Sequence, residues 1–503
     1  MSEQKTGEKT ENIVIRTVRH PDEQAYRELK KQNKRLSFIC YALMVVLMAA
    51  AGAFFGYVYE TRKRAQTVDD RIQEKINTTM SIMTNDWFFG KDIEDAKERF
   101  LNQALTGITT NEEDPHTAYM SKQQVEDFVT SINHSYVGIG VQFIAGDNLN
   151  MIERVFKNSP AQKAGVQPGD QIRSVDGVLV EGMSSDNIAD LVRGEEGVPV
   201  HMEFLRDGEI VSMDIVRAAL AYTAWGEILP DGTAILEILQ FGDTTGEEIK
   251  GYLEDFKEAG AERLIIDLRD DGGGYLTSLQ EVGGLFLGRG VPVLREEYAN
   301  GSVNELKTTA NAIWGDGEIV LLVNGNTASA AEAFTLAMKE QRADVTVIGT
   351  QTYGKGTVQV TRGFTDGSAL KYTTSKWLSP GGVWINGTGI TPDETVELHP
   401  ILTEINIMTF PEEPISVDSV SENVRGIQLA LDYLGYEVDR TDGYYSEATR
   451  DAVNKYRAEH DLPENGLIDE EVMSSAASAV ILNWNTSHDH DTQLQRAQEV
   501  LNG

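Results

Sequence analysis

A long apolar run near the N-terminus limits what this chain can fold into more than any other feature. Residues 38–59 read FICYALMVVLMAAAGAFFGYVY and contain no charged side chain. A helix of about 20 such residues crosses the hydrocarbon core of a bilayer, and the run lacks the polar face of an amphipathic helix. Because it is longer than the apolar part of a usual signal peptide and follows a long polar leader, we expect a retained transmembrane signal anchor. A cleaved signal peptide is the alternative.

Positively charged residues flank this run on both sides, at positions 30–35 and 62–64, with an excess before it. Because positively charged flanks tend to stay in the cytoplasm, we expect residues 1–37 to form a cytoplasmic tail. Residues 38–59 would then cross the cytoplasmic membrane once, and the bulk of the chain would be extracytoplasmic.

Charge and cysteine content exclude several classes of function. The formal net charge of the 503 residues is −35, which would repel the phosphates of a nucleic acid, so we expect no nucleic-acid partner. Cys40 is the single cysteine, which rules out an intrachain disulfide, thiol catalysis and cysteine-based metal sites. The histidines form no HExxH pair. We therefore expect neither a metal nor any other cofactor.

Two regions of different character follow the apolar run. Apolar residues recur at helical spacing from Val68 to Gly107, which predicts a helical region over residues 60–124 that ends in the turn-rich NEEDPHTAYM. Residues 125–217 predict a small α/β module. Its segments are a strand VGIGVQF, a short helix SPAQKAG that stops at a glycine, a capped helix SSDNIADLVRG, and a hairpin around Asp207-Gly208.

This module resembles a PDZ domain of the bacterial protease type. The resemblance implies that the loop with Val137, Gly138, Ile139 and Gly140 turns backbone N–H groups toward the terminal carboxylate of a peptide. The peptide would then add as a strand beside a helix, and the glycines would allow the backbone to approach closely. An ordinary β-turn is the alternative for a lone GxG, but SPAQKAGVQPGDQI follows here at the right interval.

Residues 218–405 alternate strand-like and helix-like runs, which predicts an α/β core with a sheet covered by helices. Within it, EIVLLVNGNTASAAEAFTLAMKE places Ser329 at a helix start, directly after a turn that follows a buried-type strand. A helix start offers N–H groups to an oxyanion, so Ser329 is a candidate nucleophile. The alternative is a plain helix cap, because Ser329 and Glu332 have the spacing of a capping box.

A serine nucleophile needs a base, and Lys355, between Gly354 and Gly356, is the candidate. A lysine becomes a base only if desolvation or positive neighbours lower its pKa. Gln359 would face the same side of a strand as Lys355 and could orient it without adding charge. One alternative is a solvated loop lysine. Another is a phosphate loop, which GTQTYGKG nearly matches, although Gly356 replaces the hydroxyl residue and a β-rich sequence follows.

Together these motifs resemble the C-terminal processing peptidases, also called tail-specific proteases, over roughly residues 77–400. That family has a serine within TASAAE, a lysine within a GKG loop and a glutamine four residues later. All three are present, at Ser329, Lys355 and Gln359. The resemblance implies a serine endopeptidase that acts on proteins or peptides with accessible C-termini. It also implies a PDZ domain that gates the active site and N-terminal helices that support a homodimer.

The same resemblance assigns the oxyanion hole to the backbone N–H groups of Gly273 and Ala330. The family has an arginine, two asparagines, a proline and two glycines where residues 269–274 of this chain read RDDGGG. The two aspartates and the missing proline depart from that pattern, and they make the conformation of this loop an open question.

The C-terminal part reads as a separate unit. A proline-flanked linker is predicted over residues 406–419. Residues 420–475 contain NVRGIQLALDYLGYEV, a DG turn with a helix after it, and a final NG turn. This pattern resembles a small three-helix peptidoglycan-binding repeat, which makes peptidoglycan a candidate partner; a generic three-helix appendage is the alternative. Residues 476–503 predict a helix or a loose tail without an assigned function.

The sequence therefore predicts an α/β multidomain protein. It would consist of a transmembrane helix, a helical region, a PDZ domain, an α/β protease core and a small three-helix domain. The function predicted is that of a membrane-anchored serine endopeptidase with a Ser–Lys dyad. The alternative from another class is a catalytically silent scaffold that brings substrates to a different enzyme.

Overall fold

The computed structural model describes residues 23–146, 149–206, 208–404 and 411–503. These residues belong to two compact units, Met1–Ala104 and Leu105–Gly503. Three sequence predictions fall wholly or partly outside the described residues: the start of the cytoplasmic tail, Asp207 of the hairpin, and residues 406–410 of the linker.

The first unit is dominated by one long helix, α1 (Glu23–Ser81). Its segment Tyr26–Glu60 contains an 18-residue window with a mean hydropathy of 2.4, and none of that window is buried. This confirms an N-terminal apolar helix that is long enough to cross a membrane, a property that a signal sequence shares. A π-helical turn (Ile82–Asp86) and a 3-10 turn (Gly90–Asp92) follow, and then α2 (Ala96–Thr109) leads into the second unit.

The second unit begins with an extended segment, a helix and the PDZ domain. In chain order the elements are β1 (Ala118–Met120), α3 (Lys122–Asn133), β2 (Ser135–Gly138), β3 (Val141–Gly146), β4 (Leu149–Val155), α4 (Pro160–Ala164), β5 (Gln171–Val175), β6 (Val178–Leu179), α5 (Ser185–Val192), β7 (Pro199–Arg206) and β8 (Glu209–Val216).

Local sequence signals in the PDZ domain produce the elements they predict. Ser159 caps α4 by accepting the N–H of Gln162, and Gly165 ends that helix with a φ of 89°, where glycine is favoured. Ser184 caps α5 in the same way. The strands form a sheet in the order β3-β4-β5-β7-β8, with β6 beside β5. Alternate residues of β7 are fully buried beneath it, as half-buried strands require.

The protease core contributes the next run of elements. They are β9 (Ala218–Ala221), β10 (Ala224–Ile228), β11 (Ala234–Ile238), α6 (Thr245–Glu258), β12 (Leu264–Asp267), α7 (Leu276–Leu287), β13 (Pro292–Tyr298), β14 (Val303–Lys307), β15 (Ile319–Val323), α8 (Ala330–Gln341), β16 (Val345–Gly349), β17 (Thr357–Gly363), β18 (Ala369–Leu378), β19 (Glu394–Thr395) and α9 (Pro400–Thr403).

A mostly parallel sheet in the order β10-β11-β12-β15-β16-β19 forms the centre of this core. Every residue of β15 is buried, as expected for a parallel strand covered on both faces. One face packs against α6, α7 and α8. A second sheet, β1-β18-β13-β14 with β17 also paired to β18, lies in the same unit. The turn-rich segment that was predicted to mark a boundary therefore supplies a strand to the protease core.

The C-terminal part contains α10 (Glu422–Tyr433), α11 (Glu447–Glu459), α12 (Glu470–Thr486) and α13 (Thr492–Asn502). The first three share one apolar core, which confirms the three-helix domain. Ile401 of α9 is buried in that same core. Ile415, from the described part of the predicted linker, pairs with Ile468. Both flanking segments thus pack on the small domain.

Candidate active site

Ser329 lies where the buried strand β15 turns into α8. Its φ of 57° and ψ of −114° place a non-glycine residue in a strained backbone conformation. Its N–H donates to Glu332 Oε2 at 2.9 Å. This is one of the two hydrogen bonds of a capping box, the one between the backbone of the cap residue and the side chain three residues later. Such a sharp turn exposes a side chain at the end of a sheet. The Ser329 side chain lines a cavity of about 480 Å³.

Lys355 lines the same cavity as Ser329. Its backbone is enclosed on both sides: a Cβ at Gly354 would lie 2.6 Å from Gly389 N, and one at Gly356 would lie 2.8 Å from Asn386 Cβ. The loop leads into the strand β17, whereas a phosphate loop opens a helix. The geometry therefore favours a packed lysine over the solvated and phosphate-loop alternatives.

The surroundings of Lys355 lower its pKa, first through burial and then through the positive charge of Lys371, while Glu332 acts in the opposite direction. Lys371 lines the cavity too. Within the described ranges, no carboxylate forms an ion pair with Lys355. A lysine in this setting holds its proton less tightly than a solvated one.

Glu332 is a candidate functional residue that sequence reasoning treated only as part of a helix cap. Its side chain is fully buried. Besides the N–H of Ser329, it accepts the N–H groups of Gly354 at 2.7 Å and Lys355 at 2.9 Å, and the hydroxyl of Thr352 at 2.5 Å. One carboxylate thus joins the backbone of the candidate nucleophile to the backbone of the candidate base.

Gln359 lines the cavity on β17. Its Nε2 donates to Thr357 Oγ1 at 2.9 Å and to Thr373 Oγ1 at 3.0 Å. Thr373 in turn donates to Asp114 Oδ1 at 3.0 Å, and the hydroxyl of Thr117 donates to Asp114 Oδ2 at 2.5 Å. The DPHT segment, which the sequence marked only as a turn, therefore anchors the side chain of Gln359.

The glycine loop after β12 packs directly against Ser329. A Cβ at Gly273 would lie 2.7 Å from Ala330 N and 2.8 Å from Ser329 Cβ, so only glycine fits there. In this conformation the N–H of Gly273 donates to Asp271 Oδ1 at 2.8 Å. Ala330, Gly272 and Gly274 are among the residues that line the cavity, whereas Gly273 is not. Gly273 can serve as an oxyanion donor only if Asp271 releases its amide.

Asp271 itself is completely buried. Burial raises its pKa well above the ordinary aspartate value, and the N–H of Gly273 opposes this only in part. Among the described residues, no group donates to its Oδ2. Asp271, one of the two aspartates that depart from the family pattern, is therefore protonated more readily than a surface aspartate.

Comparison with known proteins decides the family. A CtpA-like serine protease of Staphylococcus haemolyticus is 31% identical over 453 residues, which cover 88% of this chain and 90% of that protein. The carboxy-terminal processing protease CtpA of Bacillus subtilis is 30% identical over 473 residues, or 94% of this chain and 99% of that protein. The model of peptidase family S41 matches residues 232–396. The chain belongs to this family of carboxy-terminal processing serine proteases.

Further matches agree with the domain order of the protease. A PDZ family model matches residues 151–206, and a peptidoglycan binding domain model matches residues 420–475. Among solved structures, the photosystem II D1 C-terminal processing protease is 23% identical with a TM-score of 0.36, over 61% of this chain and 83% of that one. A likeness of that size adds nothing to the family assignment.

The PDZ domain of the protease has a groove of about 390 Å³ between β3 and α5. Gly138, Ile139 and Gly140 line this groove, whereas Val137 does not, although it precedes Gly138 in the same strand β2. Gly140 has a φ of 80°, and a Cβ there would lie 2.5 Å from Ser159 Cβ. The predicted carboxylate loop therefore borders the groove with three of its four residues.

Proposed function

We propose that this protease is a membrane-anchored endopeptidase in which Ser329 is the nucleophile and Lys355 the general base. The observation that carries the proposal is the shared carboxylate of Glu332, which fixes the backbones of both residues at the wall of one cavity. Effective acid–base catalysis depends on such fixed geometry between the reacting groups.

The reaction begins when neutral Lys355 takes the proton of the Ser329 hydroxyl. The oxygen of Ser329 then bonds to the peptide carbonyl carbon, and the negative charge develops on the carbonyl oxygen. When the peptide C–N bond breaks, Lys355 returns the proton to the leaving amine and an acyl-enzyme remains. Lys355 next accepts a proton from water as the water attacks the ester, and it passes that proton to the oxygen of Ser329 as the product acid leaves.

Two further groups assist this sequence. Because Nε2 of Gln359 is committed to two threonines, its Oε1 is the end that can accept a hydrogen bond from Lys355. The N–H of Ala330, at the start of α8, is the first oxyanion donor. Gly273 supplies the second once its amide leaves Asp271.

Substrate capture is assigned to the PDZ groove. The glycine-lined end of the groove would bind the terminal carboxylate of a protein or peptide, and the chain would add beside β3. The apolar part of α1 would retain the enzyme at the cytoplasmic membrane with the second unit extracytoplasmic, and the three-helix domain would bind peptidoglycan. The homodimer implied by the resemblance stays a prediction.

The test compares the full chain in detergent with Ser329→Ala and Lys355→Met on an unfolded protein substrate, with PDZ ligand peptides supplied. Ser302→Ala and Lys307→Met, both at exposed positions of the same unit, are the matched controls. We expect each active-site variant to lose roughly 10⁴-fold in kcat while the controls keep wild-type rates. If neither the wild-type enzyme nor any variant degrades the substrate, the protein is the silent scaffold instead.

A further inference from the structure

The last helix of the chain returns to the protease core. Residues of α13 fill the face of the central sheet opposite α6, α7 and α8, in a cluster of Leu494, Ala497 and Leu501 with Ile265, Val320, Leu322 and Ile348. Two hydrogen bonds fix the start of the helix to the backbone after β19, from Thr492 to Glu397 O at 2.8 Å and from Gln493 to Val396 O at 2.7 Å. A segment predicted as a helix or loose tail is therefore part of the catalytic core.

The start of α13 also binds a buried arginine. Arg269 donates to Asp491 Oδ2 at 2.8 Å and to Asp491 Oδ1 at 3.1 Å, and to Gln493 Oε1 at 3.2 Å. On its other edge it forms a bidentate pair with Asp267 at 2.6 and 2.9 Å, and Trp484 stacks against it at 5.7 Å. Burial disfavours the charged guanidinium, but the two carboxylates outweigh this and raise the pKa of Arg269.

Arg269 lies near the start of the loop that packs against Ser329, two residues after the end of β12. The loop carries positive φ angles at Asp270, Gly273 and Gly274, so its conformation must be imposed by its surroundings. Asn324 and Asn326 hold one side of it through Asp270. A second attachment runs through the side chain of Arg269, and half of its hydrogen bonds go to Asp491 and Gln493 at the start of α13.

We propose that Asp491 is a positioning residue for catalysis, which holds Arg269 and thereby aligns the amides of residues 272–274 beside Ser329. The inference rests on the proposed function, because alignment matters only if these amides face a developing oxyanion. The C-terminal segment then contributes to the rate of the chemical step, although Asp491 itself touches no substrate. Without Asp491, the remaining carboxylate on Arg269 is Asp267, which belongs to the same strand–loop segment, and the attachment to the C-terminal segment is reduced to Gln493 and Trp484.

The cap function of Asp491 allows a clean test. Its Oδ1 also accepts the N–H of Leu494 at 2.9 Å and so caps α13. Asparagine and serine are good caps as well, so Asp491→Asn and Asp491→Ser keep the helix start while they weaken or remove the contact with Arg269. Asp489→Asn is the matched control, because it removes the same charge two residues away on an exposed side chain.

Two measurements on the full chain decide the proposal. Hydrogen exchange of the amides in residues 270–276 should become at least about 10-fold faster in Asp491→Ser, while the strands of the sheet exchange as before. For the same variant, kcat should fall about 10-fold with KM changed less than about twofold, because only transition-state contacts are weakened. Asp491→Asn should lie between, and Asp489→Asn should match the wild type.

Unchanged exchange in residues 270–276 overturns the proposal, and so does a loss of protection spread evenly over the sheet, which would show a purely structural role. An enzyme that cleaves nothing in wild-type form contradicts the proposed function instead. In that case the exchange data still decide whether Asp491 holds the loop.

Discussion

The reactivity of Lys355 depends on the residues around it more than on its own chemistry. Burial and the charge of Lys371 lower its pKa below the ordinary lysine value, so the neutral amine that the proposed reaction needs becomes available at lower pH. The rate should therefore rise with pH as Lys355 loses its proton. The pKa of His116 is lowered as well, first by burial and then by the positive charge of Lys355.

Lys371→Met tests this electrostatic contribution. Removing one positive neighbour raises the pKa of Lys355, so the ascending limb of kcat/KM against pH should move to higher pH and the rate at pH 7 should fall. The profile of Lys307→Met, which removes an exposed lysine of the same unit, should match the wild type. A limb that stays in place in Lys371→Met would show that Lys371 does not act on the base.

The raised pKa of Asp271 leads to a prediction about the pH dependence of stability. Since its pKa in the folded protein is raised well above 3.8, its contribution to stability is present at low pH and is lost as the pH rises through that folded value. Asp271→Asn keeps an acceptor for the N–H of Gly273 without a charge. Thermal unfolding should show the variant more stable than the wild type at pH 8, with a difference that shrinks toward pH 4.

The control for this measurement is Asp316→Asn at an exposed site, which should show little of that pH-dependent gain. A variant of Asp271 that melts below the wild type at pH 8 would contradict the prediction. It would indicate that the charged carboxylate is stabilised by its surroundings after all.

At the scale of elements, Glu332 is what joins α8 to the loop before β17. Four donors converge on the Glu332 carboxylate. In Glu332→Gln the side chain keeps its size, but its single oxygen accepts fewer of these hydrogen bonds, and its NH₂ group would face donors instead of acceptors. We expect a loss of about 3 kcal/mol in the free energy of unfolding, by urea titration, since buried bonds to a charged acceptor are each worth about 1.5–3 kcal/mol.

The exposed Glu318→Gln, from the start of the same strand–turn–helix segment, should stay within about 0.5 kcal/mol of the wild type. If Glu332→Gln unfolds like the wild type, the carboxylate does not hold the two segments together. The catalytic rate of Glu332→Gln should fall as well, because Ser329 and Lys355 lose their common attachment.

Local elements of this protein could be predicted from sequence because their signals are local. A buried strand, a glycine turn and a helix start identified the position of Ser329, and flanking glycines identified the enclosed lysine loop. The partners of these elements could not be predicted in the same way. Asp114 meets Thr373 across 259 positions, and Arg269 meets Asp491 across 222. Hydrophobic periodicity predicts which face of an element is buried, but not which segment covers it.

The sequence predicted a series of separate domains along the chain. The structure shows that segments predicted to belong to one domain pack on another. The DPHTAYM segment from the helical region supplies β1 to a protease sheet, α9 packs with the small C-terminal domain, and α13 packs with the protease core. Because segments of one predicted domain pack on another, the domains of the second unit are not independent of each other. Removal of the C-terminal segment should therefore affect the protease core.

The cavity that Ser329 and Lys355 line lies entirely in the second unit, so the apolar helix should matter for location and not for chemistry. A chain that begins at residue 68 should appear in the soluble fraction and cleave a soluble peptide with kcat/KM within about twofold of the full chain in detergent. The full chain should sediment with membranes and resist extraction by carbonate, because an apolar helix of this length inserts stably.

N-terminal sequencing of the mature protein distinguishes a retained membrane anchor from a cleaved signal peptide. A terminus just after Ala53 would mean a cleaved signal peptide, and an intact N-terminus would mean a retained anchor.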